Sequence, residues 1–233
     1  MVSGALALGV YEKEEIGLFS RTIQPGMTVV DVGANLGAYS AVCLDRLQGR
    51  GQLLAIEPAK ENFLWLQRNL YHNRGLILQT KVHAVRAALA SKTGVAVLHK
   101  NPANKGDNRL YPDGLLAGTE KVKTTTLDLL CRQKGIRSID VLKIDVQGLE
   151  GEVLSGGRAT LRASRRCHLF FEFWAEGMRK AKTEPRLIGE LLMSLGFTLY
   201  TYSRGTLSPV QVRSLVRRTS GRNYVNLYGV RRG

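Results

Sequence analysis

Short runs of β-branched and other apolar residues alternate along this chain with stretches whose apolar positions recur at helical spacing. That alternation predicts a layered α/β domain. "MTVVDV" (27 to 32) reads as a first, buried strand, and "NLGAYSAVCLDRL" after it carries Leu36, Tyr39, Val42, Cys43 and Leu47 near one helical face. "GQLLAIEP" (51 to 58) reads as a second strand; Pro58 then opens a helix in which Phe63, Leu66 and Leu70 share a face, with a stop between Asn69 and Gly75. A third strand lies in "TKVHAVRAALAS" (80 to 91), ending near Arg86 or Ala87, and "GVAVLHK" with "EKVKTTTLDLL" predicts a hairpin or edge insertion around a long loop. "IDVLKIDVQGLE" (139 to 150) and "CHLFFEFW" (167 to 174) supply the next two strands. "TEPRLIGELLMSLGF" predicts a helix capped by Thr183, with Pro185 in its first turn and Gly196 at its end. "FTLYTYS" and "NYVNLYGVR" close the sheet as an antiparallel pair.

Each strand end carries something polar. The first ends at Asp31 and runs into Gly33, Ala34, Asn35 and Gly37; the second ends at Glu57, the fourth at Asp145, the fifth at Glu172. Ligands of open α/β sheets bind beyond the carboxyl ends of the strands, while strands buried on both faces are otherwise apolar. Glu57 follows the first turn at about the offset from which an acid grips ribose hydroxyls, which implies an adenosine-containing ligand. The turn itself reads DxGxNxG rather than GxGxxG. A carboxylate there suits a cationic cofactor such as S-adenosylmethionine better than a diphosphate, and Asn35 tolerates the left-handed backbone such a turn requires. An ordinary glycine turn with a helix-capping Asp is the alternative for the loop taken alone.

Composition sharpens this only partly. The 233 residues, 44% of them hydrophobic, are enough for a sizeable core, and the net charge of +15 favours anionic partners, nucleic acid among them. The charge is uneven: from Leu191 to Gly233 there is no acid, but Arg204, Arg213, Arg217, Arg218, Arg222, Arg231 and Arg232 are present. Cys43, Cys131 and Cys167 show neither pairing nor zinc spacing, so a reducing, cytoplasmic setting is expected. The start has no basic residue before its apolar stretch, so no signal peptide is expected, and no window approaches a membrane span. His72, His83, His99 and His168 have no ligand spacing.

Three blocks, "GVYEKEEIGLFSRTIQPGMTVVDVGANLGAYS", "AIEPAKENFLWLQRNL" and "TTTLDLLCRQKGIRSIDVLKIDVQGLEGEVLSGG", resemble the FkbM-type S-adenosylmethionine-dependent methyltransferases, over about half the chain and in the family's order. In the third block Lys143, Asp145, Gly148 and Glu150 match the family's KIDVEGxE, while Gln147 stands where a glutamate is common. The resemblance implies a class I, Rossmann-like fold: a seven-stranded, mostly parallel sheet with a final antiparallel strand and helices on both faces. It implies a cap segment over 1–25 and one methyltransferase domain over 26–233, with an inserted region around 95–126. Asp31, Gly33, Ala34, Asn35 and Gly37 would hold the methionine portion, Glu57 and Pro58 the ribose side, and Asn62 would support them. Tyr11, with Glu12, would cover the cofactor, and Asp145 would lie under the transferable methyl group. Asp145, Glu172 and Lys143 form the expected catalytic set, with one carboxylate as general base. A divalent metal between Asp145 and Glu172 is the less favoured arrangement. The acceptor is expected to be a hydroxyl on a small molecule, sugar or lipid. The alternatives are an RNA or other polyanion methylated with the help of the basic C-terminal region, and a non-catalytic nucleotide-binding module. An NAD-dependent oxidoreductase is a distant third for want of GxGxxG.

Overall fold

The computed structural model describes residues 10–73, 80–104, 106–112, 114, 118–217, 219, 221 and 223–233, with side chains from Glu14 onward. The chain begins with α1 (Val10–Thr22), then β1 (Thr28–Val32), α2 (Ala38–Leu47), β2 (Gln52–Ile56), α3 (Lys60–His72) and β3 (Lys81–Val85). Three short strands follow, β4 (Ala88–Leu89), β5 (Gly94–His99) and β6 (Thr119–Thr125). After α4 (Leu127–Gln133) come β7 (Val141–Ile144), α5 (Glu150–Ser155), α6 (Arg158–Ala163), β8 (Arg166–Phe173) and α7 (Ala175–Lys180). The chain ends through α8 (Pro185–Ser194), β9 (Phe197–Ser203), β10 (Thr206–Pro209), α9 (Val212–Leu215) and β11 (Val225–Arg232).

The main sheet runs β10-β9-β11-β8-β7-β1-β2-β3. β3, β2, β1, β7 and β8 are parallel neighbours, and β11 lies antiparallel between β8 and β9. The sheet therefore has eight strands where seven were expected. The additional strand is β10, the outer arm of a hairpin with β9 that turns at Arg204 and Gly205, both at positive φ. β5 and β6 pair as the predicted hairpin, but with β4 they form a separate three-stranded sheet, β4-β6-β5.

Each face of the main sheet has its own core. Val29, Leu53, Val141 and Phe170 pack with Phe19, Leu44 and Leu66 under α1, α2 and α3. Val30, Leu54, Leu142 and Phe171 point the other way, into the cluster closed by Leu130, Leu154, Ile188 and Leu192. The period-2 alternation of these strands, apolar on both faces, is the pattern of a sheet covered on both sides. α8 is capped by Glu184 rather than Thr183: the Glu184 side chain accepts from Arg186 N–H, while the Thr183 hydroxyl donates to Met178 O at 2.8 Å. Pro185 opens the helix and Gly196, at φ +81°, ends it as expected. Among the described residues, no helix is long and apolar enough to cross a membrane. The three cysteines are free and buried.

Candidate functional site

The carboxyl ends of β1, β2 and β7 are bound to one another by backbone. Gly33 and Ala34 N–H both donate to Ile56 O, at 2.9 and 3.0 Å, and Asp145 N–H donates to Val32 O at 2.9 Å. Gly33 sits at φ +76°, and a Cβ there would overlap the Asp145 carbonyl, so the two loops touch at a spacing only glycine permits. Gly37, at φ +93°, leads into α2 with its N–H on Ala34 O at 2.8 Å. Asn35 takes the left-handed conformation anticipated for it, φ +50°, and its N–H donates to Glu57 Oε2 at 2.9 Å.

Glu57 is the hub of this end of the sheet. Its Oε1 accepts from Ala59 N–H at 3.0 Å and its carboxylate also bonds the Asn62 side chain. Burial nevertheless pushes the carboxyl up to about 7 against those hydrogen bonds. Glu57, Pro58, Asn62, Gly33 and Asn35 line one side of a narrow cavity of about 60 Å³; Leu89, Leu98 and Leu110 line another. An acid at the rim of a slot with apolar walls, beside a glycine turn, offers a carboxylate to hydroxyl groups and apolar surface to a flat ring.

Asp31, Ala34 and Gly37 do not line that cavity. Alternation along β1 turns Val32 toward it and Asp31 toward α2. Asp31 is fully buried, its Oδ2 accepts from the Ser40 hydroxyl at 2.7 Å, and burial raises its pKa although Lys143 and Ser40 pull it down. Through that hydrogen bond Asp31 fastens the first turn of α2 to β1. Tyr11 and Glu12 lie in the first turn of α1, where side chains are outside the described residues.

Asp145 ends β7 with its side chain 40% exposed. Gln147 Nε2 donates to its Oδ1 at 2.9 Å, and Lys143 Nζ approaches Oδ2 at 3.4 Å. Lys143 is buried over the Tyr39 ring; burial would depress its pKa, but the carboxylates of Asp145, Asp31 and Glu15 outweigh that and raise it. Gln147 is itself left-handed, φ +56°, and its carbonyl accepts from the Tyr111 hydroxyl at 2.8 Å. Glu150, fully inside, accepts from Gly148 and Val146 N–H at 3.1 and 3.3 Å, which shapes the loop; burial raises its carboxyl to about 7.

Glu172 ends β8 and, with Asp145, borders a second and broader cleft of about 830 Å³. Its carboxyl is raised well above the ordinary range by burial, then by the charges of Asp145 and Glu150. Asn35, Gly106, Asp145 and Gln147 border both spaces, so the narrow cavity and the broad cleft meet at these residues. Among the described residues, no group of three His, Cys, Asp or Glu side chains is disposed to hold a metal ion.

Several cleft residues escaped the sequence. Arg109 is buried, paired to Asp107 through Nε at 2.8 Å, with its guanidinium 4.7 Å from the Trp174 ring centroid. Trp174 is 6% exposed and donates to Gly221 O at 2.6 Å, so "FWAEGMRKAK" opens a buried corner of the cleft. The Asn-rich loop after β5 brings Asn101 and Asn104 to the same cleft. Its composition signalled a turn, not a wall.

The comparisons with known proteins follow the same lines. A family model for the methyltransferase FkbM domain matches residues 31–200. The 2-O-methyltransferase NoeI of Sinorhizobium fredii is 26% identical over 208 residues, covering 82% of this chain and 81% of that protein. The hexuronic acid methyltransferase AglP of Haloferax volcanii is 26% identical over 146 residues, covering 62% of this chain and 56% of its own length. A crystal structure of methyltransferase FkbM from Methylobacillus flagellatus KT superposes with a TM-score of 0.56 at 15% identity, over 92% of this chain and 50% of that one.

Proposed function

This chain belongs to the methyltransferase FkbM domain family and is an S-adenosylmethionine-dependent methyltransferase, and from that premise we propose that it methylates a hydroxyl oxygen of a sugar-like acceptor. The observation that carries the reading is the junction at Asp145, a carboxylate that borders both the narrow cavity beside Glu57 and the broad cleft beside Glu172. Relatives that methylate a 2-hydroxyl and a hexuronic acid support the acceptor class.

In this reading Glu57 holds the ribose, Asn35 and Gly33 present backbone to the methionine portion, and Pro58 and Asn62 keep Glu57 in place. Asp31 acts through Ser40, holding the loop rather than touching the cofactor. The cofactor, when bound, supplies a methyl group activated by its sulfonium. The protein's share is alignment and a place for the hydroxyl proton. Asp145 accepts that proton, its carboxylate kept in position by Gln147 and Lys143. Glu172, held protonated by burial and by the Asp145 charge, donates a hydrogen bond that orients the acceptor.

A panel of mono- and oligosaccharides, lipids and RNA, incubated with the protein and the cofactor and read by mass spectrometry, tests this. A gain of one methyl on a saccharide hydroxyl is expected, and Asp145→Asn should lower its rate by about a hundredfold or more. Methylation of RNA or of a nitrogen with none on saccharides would contradict the proposal.

A further inference from the structure

The end of the sheet opposite the cofactor cavity carries a second groove of about 610 Å³, lined by Arg166, His168, Tyr200, Leu207, Tyr228 and Arg232, among others. Its floor is the sheet face itself. Tyr228 and Tyr200 are register partners on β11 and β9, and the His168 ring is stacked near-parallel to that of Tyr228, 14° apart, with a 2.7 Å hydrogen bond between Nδ1 and the phenol oxygen. At its end Arg232 and Arg166 stand directly opposite each other on β11 and β8, both exposed. Like charges in register destabilise a strand pair, yet among the described residues neither arginine makes an ion pair. The one acid felt by His168, Asp140, has its Oδ2 committed to Thr28 N–H at 2.8 Å. Arg165 and Arg231 flank the pair, although the Arg231 guanidinium is engaged by Ser164 O and Leu195 O.

We propose that this groove binds a single-stranded polynucleotide, its phosphates on Arg166 and Arg232 and a base against the half-buried Tyr200 ring, which the buried Tyr228 backs. The juxtaposition suits that chemistry: an aromatic floor on the sheet face, with two exposed guanidiniums that make no ion pair among the described residues at its end. Concavity argues against a flat lipid surface, which could not reach the floor. The groove lies at the amino end of β8, whereas Glu172 lies near its carboxyl end, so the site would tether the enzyme without entering its cleft.

Fluorescence anisotropy of a labelled 15-mer oligouridylate with the full chain tests this without requiring activity. Binding is expected to weaken on raising the salt concentration. Arg166→Glu with Arg232→Glu should reduce affinity at least tenfold and lower the log–log salt slope by roughly 1.4, about 0.7 for each phosphate contact. Tyr200→Leu should weaken binding by about fivefold or more. Arg166→Gln with Arg232→Gln gives the same reading at smaller amplitude if charge reversal disturbs the thermal transition. No binding at tens of micromolar, or equal binding by the arginine variants, overturns the proposal. So does preferential association with phosphatidylserine vesicles lost in the same variants.

Discussion

At the scale of single residues, Glu57 makes the sharpest demand. A carboxyl raised to about 7 by burial is partly protonated near neutrality, while ribose hydroxyls that donate to it favour the carboxylate. Cofactor affinity is therefore expected to be full above about pH 8 and to fall toward tenfold per pH unit below about 7. Titration calorimetry between pH 6 and 8 reads this directly. Glu57→Gln should bind more weakly and without that dependence, whereas Glu150→Gln should retain it, since Glu150 lies outside the cavity lining. A flat wild-type profile would contradict the assignment. The folding linkage has the opposite sense: both acids subtract stability as pH rises from 4.5 through about 7, because the unfolded chain ionises first. Gln147, where the family commonly has glutamate, donates its amide to Asp145. A glutamate would set a like charge beside that carboxylate instead.

Among the elements, the small β4-β6-β5 sheet and the loop between β5 and β6 wall both spaces. Ala88 and Leu98 come from it to the cavity, Asn101, Asp107 and Arg109 to the cleft. Tyr111 fastens that loop to the turn after β7 through Gln147 O. Because Arg109 borders only the cleft, Arg109→Leu is expected to raise the acceptor KM severalfold while leaving the cofactor affinity within about twofold; an equal loss of both would mean that the loop positions the cavity as well. The sequence announced this insertion as a hairpin with a long loop, but carried no motif to say which of its residues reach the site. Arg109 and Trp174 meet through a cation–π contact between segments 65 positions apart, and no local period encodes such a meeting.

For the molecule as a whole, the alternation of strands and helices along the chain was legible because burial on both faces forces apolar runs, and polar residues then interrupt them at the strand ends; the order of the strands in the sheet was not. Glu57, Asn35 and Asp145 border the cavity while Asp31 faces α2, since a strand's alternation turns adjacent residues to opposite faces and sequence spacing alone does not say which face the cavity takes. β10 went unread because a four-residue, fully exposed edge strand carries no apolar signature. The central claim, that the slot beside Glu57 is the cofactor site of a methyltransferase, is tested most directly by isothermal titration of the full chain with S-adenosylmethionine. One-to-one binding at tens of micromolar or tighter, weakened at least tenfold by Glu57→Ala, is the predicted result; no heat at those concentrations, or undiminished binding by the variant, would contradict it.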